Sequence, residues 1–408
     1  MTAEVGRPRL VALTALTVIF DGIDNQILGT AIPAMMETWG ATRAAFAPVV
    51  AAGLLGMMIG GAAAGVAGDR VGRRAALLGS VALFGLATMA VGAADDVTTL
   101  AVLRLVTGAG LGGALPNATA LAAEYVRTEQ RAIAVTTTIV CVPLGGTLAG
   151  LLAIPLLPAI GWRALFVVCG IVPVVVAAIL TRVLPESPQY LARREARTPV
   201  KAILAADYRV DTIALWGAFS SCLLALYLGV SWLPSVLAGA GFGPAIASSS
   251  LTMFNFGGVF GALGGGVLIA RFGSRPTMLA MAVGSIAGAL ALSATAIGSS
   301  AAAIVFTLLA VTGGLMNALQ TMMYALAAHV YPTAMRATGV GAAVAVGRTG
   351  AILGGYAGPA ALAYAGSQSF FALMAAALAV TLLSLRAARR HIPARDRAAA
   401  NSRPAVSP

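Results

Sequence analysis

Two carboxylates, Asp21 and Asp24, lie inside an otherwise apolar segment near the N-terminus. A charged side chain at the centre of a bilayer costs about 2.5–3.5 kcal/mol on insertion scales, so such residues usually serve a function. Positions i and i+3 share one face of a helix, and both carboxylates can therefore point into one polar cavity. The pattern favours proton or substrate handling. The alternative is that one carboxylate only pairs with an arginine to hold helices together.

Two arginines also lie within apolar segments, Arg104 in the first half of the chain and Arg348 in the second. A guanidinium is always charged and can hold a carboxylate through two parallel hydrogen bonds. Either arginine can therefore bind the carboxylate of a substrate, and either can instead neutralise Asp21 or Asp24. The residue types alone leave both roles open.

The elements that must position these charges are membrane helices. The chain has 408 residues, of which 59% are hydrophobic and only 10% charged. Apolar stretches of about 20 residues, each long enough to cross a bilayer, recur along almost its whole length, and we count about twelve. These spans are expected to begin near Val11, Ala45, Ala76, Thr99, Ala132, Arg163, Thr212, Ala245, Thr277, Ala301, Ala337 and Gln368. The predicted fold class is therefore an all-α membrane protein.

The net charge of +12 comes from arginines that collect in alternate connections between the spans. This distribution follows the positive-inside rule and argues against a nucleic-acid-binding surface. It predicts a multi-pass protein of the bacterial cytoplasmic membrane with both termini in the cytoplasm. The basic connections contain Arg70, Arg73 and Arg74; Arg127 and Arg131; residues 182–209; Arg271 and Arg275; Arg336; and the tail from Arg386 onward.

The two halves of the chain resemble each other in sequence. Residues 65–74 (GVAGDRVGRR) align with residues 266–275 (GVLIARFGSR), and the tripeptide Val-Thr-Gly at 106–108 recurs at 311–313. Such repeats predict two parallel six-helix units with a binding site between them near the bilayer midplane. We expect an N-terminal half over residues 1–181, a cytoplasmic linker over 182–211, a C-terminal half over 212–388 and a basic cytoplasmic tail over 389–408.

The loop Gly68-Asp69-Arg70-Val71-Gly72-Arg73-Arg74 resembles the signature loop of the major facilitator superfamily. Four further segments resemble the aromatic acid:proton symporter family: Asp21-Gly-Ile-Asp24, the stretch from Leu115-Pro-Asn117 to Glu124, Ser231-Trp-Leu-Pro234, and Tyr331 to Arg336 with Gly347-Arg348. The resemblance covers all twelve spans. It implies a major facilitator fold of two six-helix pseudo-repeats that carries an aromatic carboxylate together with protons.

The resemblance also implies roles for individual residues. Arg104 is expected to serve proton coupling together with Asp21 and Asp24. Because these two carboxylates share a face in a low-dielectric setting, one of them is expected to take up the proton, with Asp24 slightly preferred. Substrate binding is expected at Arg348, Asn117 and Trp232. A conformational gate, which in the resembling superfamily latches the halves in one state, is expected at Gly68, Asp69, Arg70, Gly72, Arg73, Glu124, Arg131, His329 and Arg336. For the last four, solvated helix ends are an equal alternative.

Other function classes find little support in the sequence. It contains no G-x-x-x-x-G-K-[ST] loop, no H-E-x-x-H motif and no G-x-S-x-G motif, so we expect no enzyme activity, cofactor, metal or ATPase subunit. We predict a secondary transporter that imports a hydroxybenzoate-like anion with protons by alternating access. Its partners are then the anion, protons and the lipid bilayer. The alternatives are a proton-coupled exporter of a drug or metabolite, and a transporter-like membrane sensor.

The charge distribution predicts a membrane topology that can be measured directly. Cysteine labelling or reporter fusions should place Arg73, the segment 182–209 and Arg395 in the cytoplasm, because arginine-rich connections are retained on that side. Finding the segment 182–209 on the outside would contradict the predicted topology.

Overall fold

The computed structural model describes residues 7–126, 131–187, 203–295, 297–298 and 301–394. This part of the chain contains ten α-helices, and each is long and apolar enough to cross a bilayer. A short 3-10 helix, Arg43–Phe46, follows the first of them. The helices are α1 Arg7–Trp39, α2 Ala47–Val71, α3 Arg73–Val91, α4 Val97–Glu124, α5 Arg131–Val183, α6 Ala206–Gly239, α7 Pro244–Phe272, α8 Ser274–Ala294, α9 Ala302–Val330 and α10 Thr333–Ala387.

Two of these helices are too long for one crossing. α5 has 53 residues and α10 has 55, or about 80 Å of helix against a hydrocarbon layer of about 30 Å. α5 breaks at Gly161 and α10 at Ala365 and Gly366, and both glycines have the positive φ that favours this residue type. Each long helix therefore provides two crossings. The ten helices provide twelve, which confirms the predicted all-α fold, and the predicted starts at Arg163 and Gln368 follow these breaks directly.

The helices form two sets of six crossings, α1–α5 and α6–α10. Within each set, glycines let the second and fourth helices touch backbone to backbone. Between α2 and α4, a Cβ atom at Gly60 would overlap the carbonyl oxygen of Ala109. Between α7 and α9, a Cβ atom at Gly257 would overlap the carbonyl oxygen of Ala310. Small residues permit such close approach in membranes, where helices gain stability from packing rather than from a hydrophobic effect between them. The same packing thus occurs in both sets.

The first set, α1–α5, meets the second set, α6–α10, closely at one end of the molecule. This far end carries Trp39, Gly161 and Gly239, and the opposite, basic end carries Arg74, Arg182 and Arg271. Toward the far end, a Cβ atom at Gly29 of α1 would overlap the carbonyl oxygen of Val230 in α6. One at Gly150 of α5 would overlap the hydroxyl of Thr252 in α7. These contacts hold the two sets together at the far end.

The chain after the last crossing is held against the basic end of the second set. The carboxylate of Asp211, only 2% exposed, accepts the backbone N–H groups of Arg389 at 2.6 Å and Arg390 at 3.1 Å through one oxygen. Its other oxygen lies 3.7 Å from the Arg390 guanidinium. The backbone N–H groups of Ser274 and Ile392 donate to the carbonyl of Ile392 and the hydroxyl of Ser274, each at 2.8 Å. These contacts connect the start of the described tail to α6 and α8.

Replacing Asp211 should destabilise the protein. Asp211→Ala removes the charged acceptor of two backbone N–H groups, and hydrogen bonds to charged groups contribute about 1.5–3 kcal/mol. We expect a lower melting temperature for the detergent-purified protein, followed with a thiol-reactive dye that reaches the buried Cys141 and Cys222 on unfolding. Asp207, exposed on the same helix, is the matched control, and Asp207→Ala should leave the melting temperature unchanged. Equal shifts in both variants would contradict the role given to Asp211.

Candidate functional site

A small cavity lies between the two sets of crossings. Its volume is about 20 Å³, which is room for roughly one water molecule. The cavity is lined by Asn25, Leu28, Gly29, Val50, Gly53, Leu54, Arg104, Tyr227 and Ser231. These residues come from α1, α2, α4 and α6, so both sets contribute. At this volume the cavity between the sets has no room for an organic molecule.

Asp24 and Arg104 form a buried ion pair within the first set. The Nη1 atom of Arg104 lies 3.3 Å from Oδ2 of Asp24, and both side chains are almost fully buried. The hydroxyl of Thr88, on α3, donates a hydrogen bond to Oδ1 of the same carboxylate. Both carboxylate oxygens of Asp24 therefore have partners, and its charge is balanced by contact. Breaking such a pair by removing one partner is strongly destabilising.

Asp21 lies one helical turn before Asp24 and has no comparable partner. It is 3% exposed, and its Oδ1 atom is buried without a hydrogen-bond partner among the described residues. None of the described cations lies within salt-bridge distance of it. The charges that act on Asp21 are those of Arg348, on α10, and of Asp24. Asp21 is thus the carboxylate of the two that lacks a compensating charge in contact.

Arg348 projects from the second set toward the first, and its contacts are with neutral groups. Its Nη1 atom donates to the hydroxyl of Tyr227 at 2.7 Å and lies 3.6 Å from the sulfur of Met57. The amide of Asn25 donates to the same tyrosine hydroxyl at 3.1 Å. Among the described residues, no carboxylate forms a salt bridge with Arg348. Its guanidinium can therefore accept an anion without first breaking an ion pair.

A second buried contact between the sets was missed by sequence reasoning. The amide of Asn255, on α7, donates to Oε1 of Gln26 at 2.7 Å, and both side chains are almost fully buried. Gln26 and Asn25 directly follow Asp24 in α1. Amide side chains within apolar spans are a usable signal for such contacts, since they too need a partner in a bilayer.

Two expected substrate ligands lie away from the cavity in this conformation. Asn117 donates to the carbonyl of Gly113 at 2.8 Å, and a Cβ atom at Gly68 would overlap its amide oxygen. It therefore packs between α4 and α2. Trp232 is fully buried, its ring lies against Gly358 of α10, and its indole N–H has no hydrogen-bond partner among the described residues.

Part of the expected gate comes together at the basic end of the first set. Arg73 forms an ion pair with Glu124, and the hydroxyl of Ser187 donates to the same carboxylate. Next to it, Oε1 of Glu186 accepts the backbone N–H of Arg74 at 3.0 Å. These contacts join α3, α4 and the chain that follows α5. They lie within the first set and its following segment rather than between the two sets.

The other expected gate residues are more dispersed. Gly72 has φ +101°, and a Cβ atom there would overlap the carboxylate of Glu186. Arg70 is exposed at the same end, and His329 and Arg336 are exposed at the basic end of the second set. The side chains of Asp69 and Arg131 lie outside the described part of the structure.

Comparison with known sequences gives a family and several named relatives. The family model of the Major Facilitator Superfamily matches residues 14–309 and 240–407. The gallate transporter of Pseudomonas putida is 34% identical over 91% of this chain and 90% of its own length. The 4-hydroxybenzoate transporter PcaK of Pseudomonas putida is 33% identical, with 86% and 85% covered. The 3-(3-hydroxy-phenyl)propionate transporter of Escherichia coli (strain K12) is 34% identical, with 84% of each chain covered.

Solved structures resemble the fold. The D-xylose-proton symporter matches with a TM-score of 0.75 and 18% identity, over 94% of this chain and 98% of that one. The inward-open xylose transporter XylE from E. coli matches with a TM-score of 0.76 and 16% identity, over 94% and 97%. At these identities the likeness concerns the fold alone.

Proposed function

This chain belongs to the major facilitator superfamily, a family of transporters rather than enzymes, and we propose that it imports an aromatic carboxylate of the hydroxybenzoate kind together with protons. The observation that carries the proposal is Arg348, a cation beside the cavity between the sets that is bound only to neutral groups in the described structure. The sequence relatives named for gallate, 4-hydroxybenzoate and 3-(3-hydroxyphenyl)propionate support the substrate class. Each of these compounds combines a carboxylate with a hydroxylated ring.

Arg348 is proposed to bind the substrate carboxylate. The planar guanidinium of Arg348 can form two parallel hydrogen bonds with a carboxylate. The bound anion would replace the hydroxyl of Tyr227 as the hydrogen-bond partner of Arg348. The hydroxyl of Tyr227 and the amide of Asn25 would then be available to the substrate as well. The apolar side chains of Leu28 and Leu54, which line the same cavity, suit the face of an aromatic ring.

Asp21 is proposed to carry the coupled proton, in place of Asp24, which the sequence favoured. The contacts of Asp24 with Arg104 and Thr88 favour its charged form and partly offset the cost of its burial. Asp21 has only the distant charge of Arg348 to offset its burial. A buried charge without a partner is costly, and a carboxyl group in that position is readily neutralised by a proton.

The two proposed sites are coupled through charge. When a substrate anion binds Arg348, the positive charge that acts on Asp21 is neutralised and a second negative charge is brought near it, so a proton on Asp21 is favoured. The loaded carrier then moves an anion and a proton together. The coupling also matters for direction, because an inside-negative potential opposes anion entry by about 2.3 kcal/mol per charge per 100 mV. One co-transported proton removes that penalty.

Transport by proteoliposomes tests the proposal. With an inward proton gradient the unaltered protein should accumulate labelled 4-hydroxybenzoate, and Arg348→Ala should abolish accumulation because the anion loses its counter-charge. Arg348→Lys should restore little activity, since an ammonium group cannot reproduce the planar fork. Arg386→Ala, at an arginine exposed at the end of α10, is the matched control and should transport normally.

Three outcomes would contradict the proposal in different ways. Normal accumulation by Arg348→Ala would remove this residue from the binding site. Proton-driven expulsion of the acid would favour the exporter alternative, and the absence of any flux in spite of binding would favour the sensor alternative.

The two aspartates should respond differently to neutralisation. Asp21→Asn should lose accumulation against a gradient but keep counterflow exchange, because exchange needs no net proton movement. Asp24→Asn leaves the buried Arg104 without its charged partner. This substitution should therefore also lower the free energy of unfolding, by about 3–5 kcal/mol, and with it the melting temperature. Asp95→Asn, at an exposed carboxylate, serves as the control for both. If Asp21→Asn and Asp24→Asn both still accumulate substrate in a protonophore-sensitive way, the coupling site lies elsewhere.

A further inference from the structure

We propose that Gln320 recognises a hydroxyl group on the ring of the substrate, and that this contact makes the carrier select hydroxylated aromatic acids over plain benzoate. The inference rests on the proposed function, because it places an aromatic acid with its carboxylate on Arg348. It assigns a specificity-determining role to a residue of α9, a helix that contributes nothing to the wall of the contracted cavity.

Gln320 is a buried amide without partners. Its side chain is 8% exposed, and neither Oε1 nor Nε2 makes a hydrogen bond among the described residues. An amide offers two N–H donors and an acceptor oxygen, and leaving such a group unsatisfied in the interior costs about 1–3 kcal/mol. Buried polar groups are bonded in the great majority of cases. An amide without a hydrogen-bond partner in the protein itself is therefore suited to a ligand that supplies one.

The surroundings of Gln320 place it beside the proposed carboxylate site. Tyr324 follows it by one helical turn, and the two side chains are close enough to interact, although neither polar atom of the Gln320 amide forms a hydrogen bond of full geometry with the phenol. The phenol of Tyr324 also lies within electrostatic range of Arg348, Tyr227 and Asp21. The amide thus lies near the cation that would hold one end of the substrate.

An aromatic wall adjoins the same place. The ring of Tyr324 meets that of Phe219, on α6, edge to face, with 5.4 Å between the ring centroids. Such a wall suits a flat aromatic ligand. A substrate whose carboxylate is on Arg348 and whose ring lies along this wall can direct a ring substituent to Gln320.

The chemistry of the amide selects the substituent. A phenolic hydroxyl both donates and accepts a hydrogen bond, so it can satisfy either side of the Gln320 amide, whereas a ring C–H can satisfy neither. A site built to bond a substrate hydroxyl discriminates strongly against the analogue that lacks it, because its own polar group then remains unpaired. Benzoate would leave the amide of Gln320 without a hydrogen-bond partner.

Asn317 provides an internal comparison on the same helix. It is also 8% exposed, but its amide donates to the carbonyl of Gly313 at 2.9 Å. Its donor is satisfied by the protein itself, so it needs no ligand. The difference between two equally buried amides of α9 thus lies in their partners rather than in their burial.

Binding of benzoate, 3-hydroxybenzoate and 4-hydroxybenzoate to the purified protein tests the inference. The unaltered protein should bind at least one hydroxybenzoate about tenfold more tightly than benzoate, the factor expected for one buried hydrogen bond. Gln320→Met keeps the volume but removes the amide, so it should weaken the hydroxybenzoate about tenfold and leave benzoate unchanged. Asn317→Ala should preserve the selectivity. Should the methionine variant fail to fold, Gln320→Asn, which withdraws the amide by one methylene group, should show a reduced preference.

The outcomes separate this inference from the proposed function. If benzoate and the hydroxybenzoates bind the unaltered protein equally well, or if Gln320→Met or Gln320→Asn leaves the preference unchanged, the role of Gln320 is wrong while the aromatic-acid carrier stands. An equal loss of affinity for all three acids in Gln320→Met would also overturn it. If none of the three acids binds the unaltered protein, the proposed function fails and this inference fails with it.

Discussion

A charge buried in a bilayer must be balanced, and the structure balances its intramembrane charges in two ways. Asp24 and Arg104 meet within the first set of crossings and neutralise each other by contact. Asp21 and Arg348 belong to different sets and interact only across a distance. The first arrangement is costly to disturb, whereas the second leaves both charges open to other partners. A proton and an organic anion are the partners that would satisfy this second pair.

The placement of the second pair also connects charge to motion. Asp21 lies on α1 and Arg348 on α10, so a movement of one set of crossings against the other changes the distance between them. The glycine contacts of α2 with α4 and of α7 with α9 make each set a closely packed unit. Carriers with such repeats move largely by rocking one repeat against the other around a central site. The contacts of Gly29 and Gly150 with the second set are then those that must separate when the far end opens.

The sequence predicted the fold well because the fold follows from hydropathy, which is a local property. The twelve crossings were recognisable, including those that begin near Arg163 and Gln368, directly after the breaks in α5 and α10. Individual site residues were harder to place, because sequence spacing shows which residues share a helix face but not which helix that face meets. Asp21 and Asp24 are equivalent in spacing and chemistry, and only Thr88 and Arg104, from other helices, distinguish them. The same limit explains why Asn117 was expected at the cavity and why the partnerless amide of Gln320 was overlooked.

The central claim is that an anion on Arg348 and a proton on Asp21 bind together. Calorimetric titration of 4-hydroxybenzoate into the purified protein, in buffers with different ionisation enthalpies, measures the protons taken up per bound acid. Over a series between about pH 6 and pH 9, uptake by the unaltered protein should rise toward about one proton per bound acid, and uptake by Asp21→Asn should be absent, since linked binding is reciprocal. Binding without proton uptake at any pH in the unaltered protein, or the same uptake in Asp21→Asn, would contradict the account.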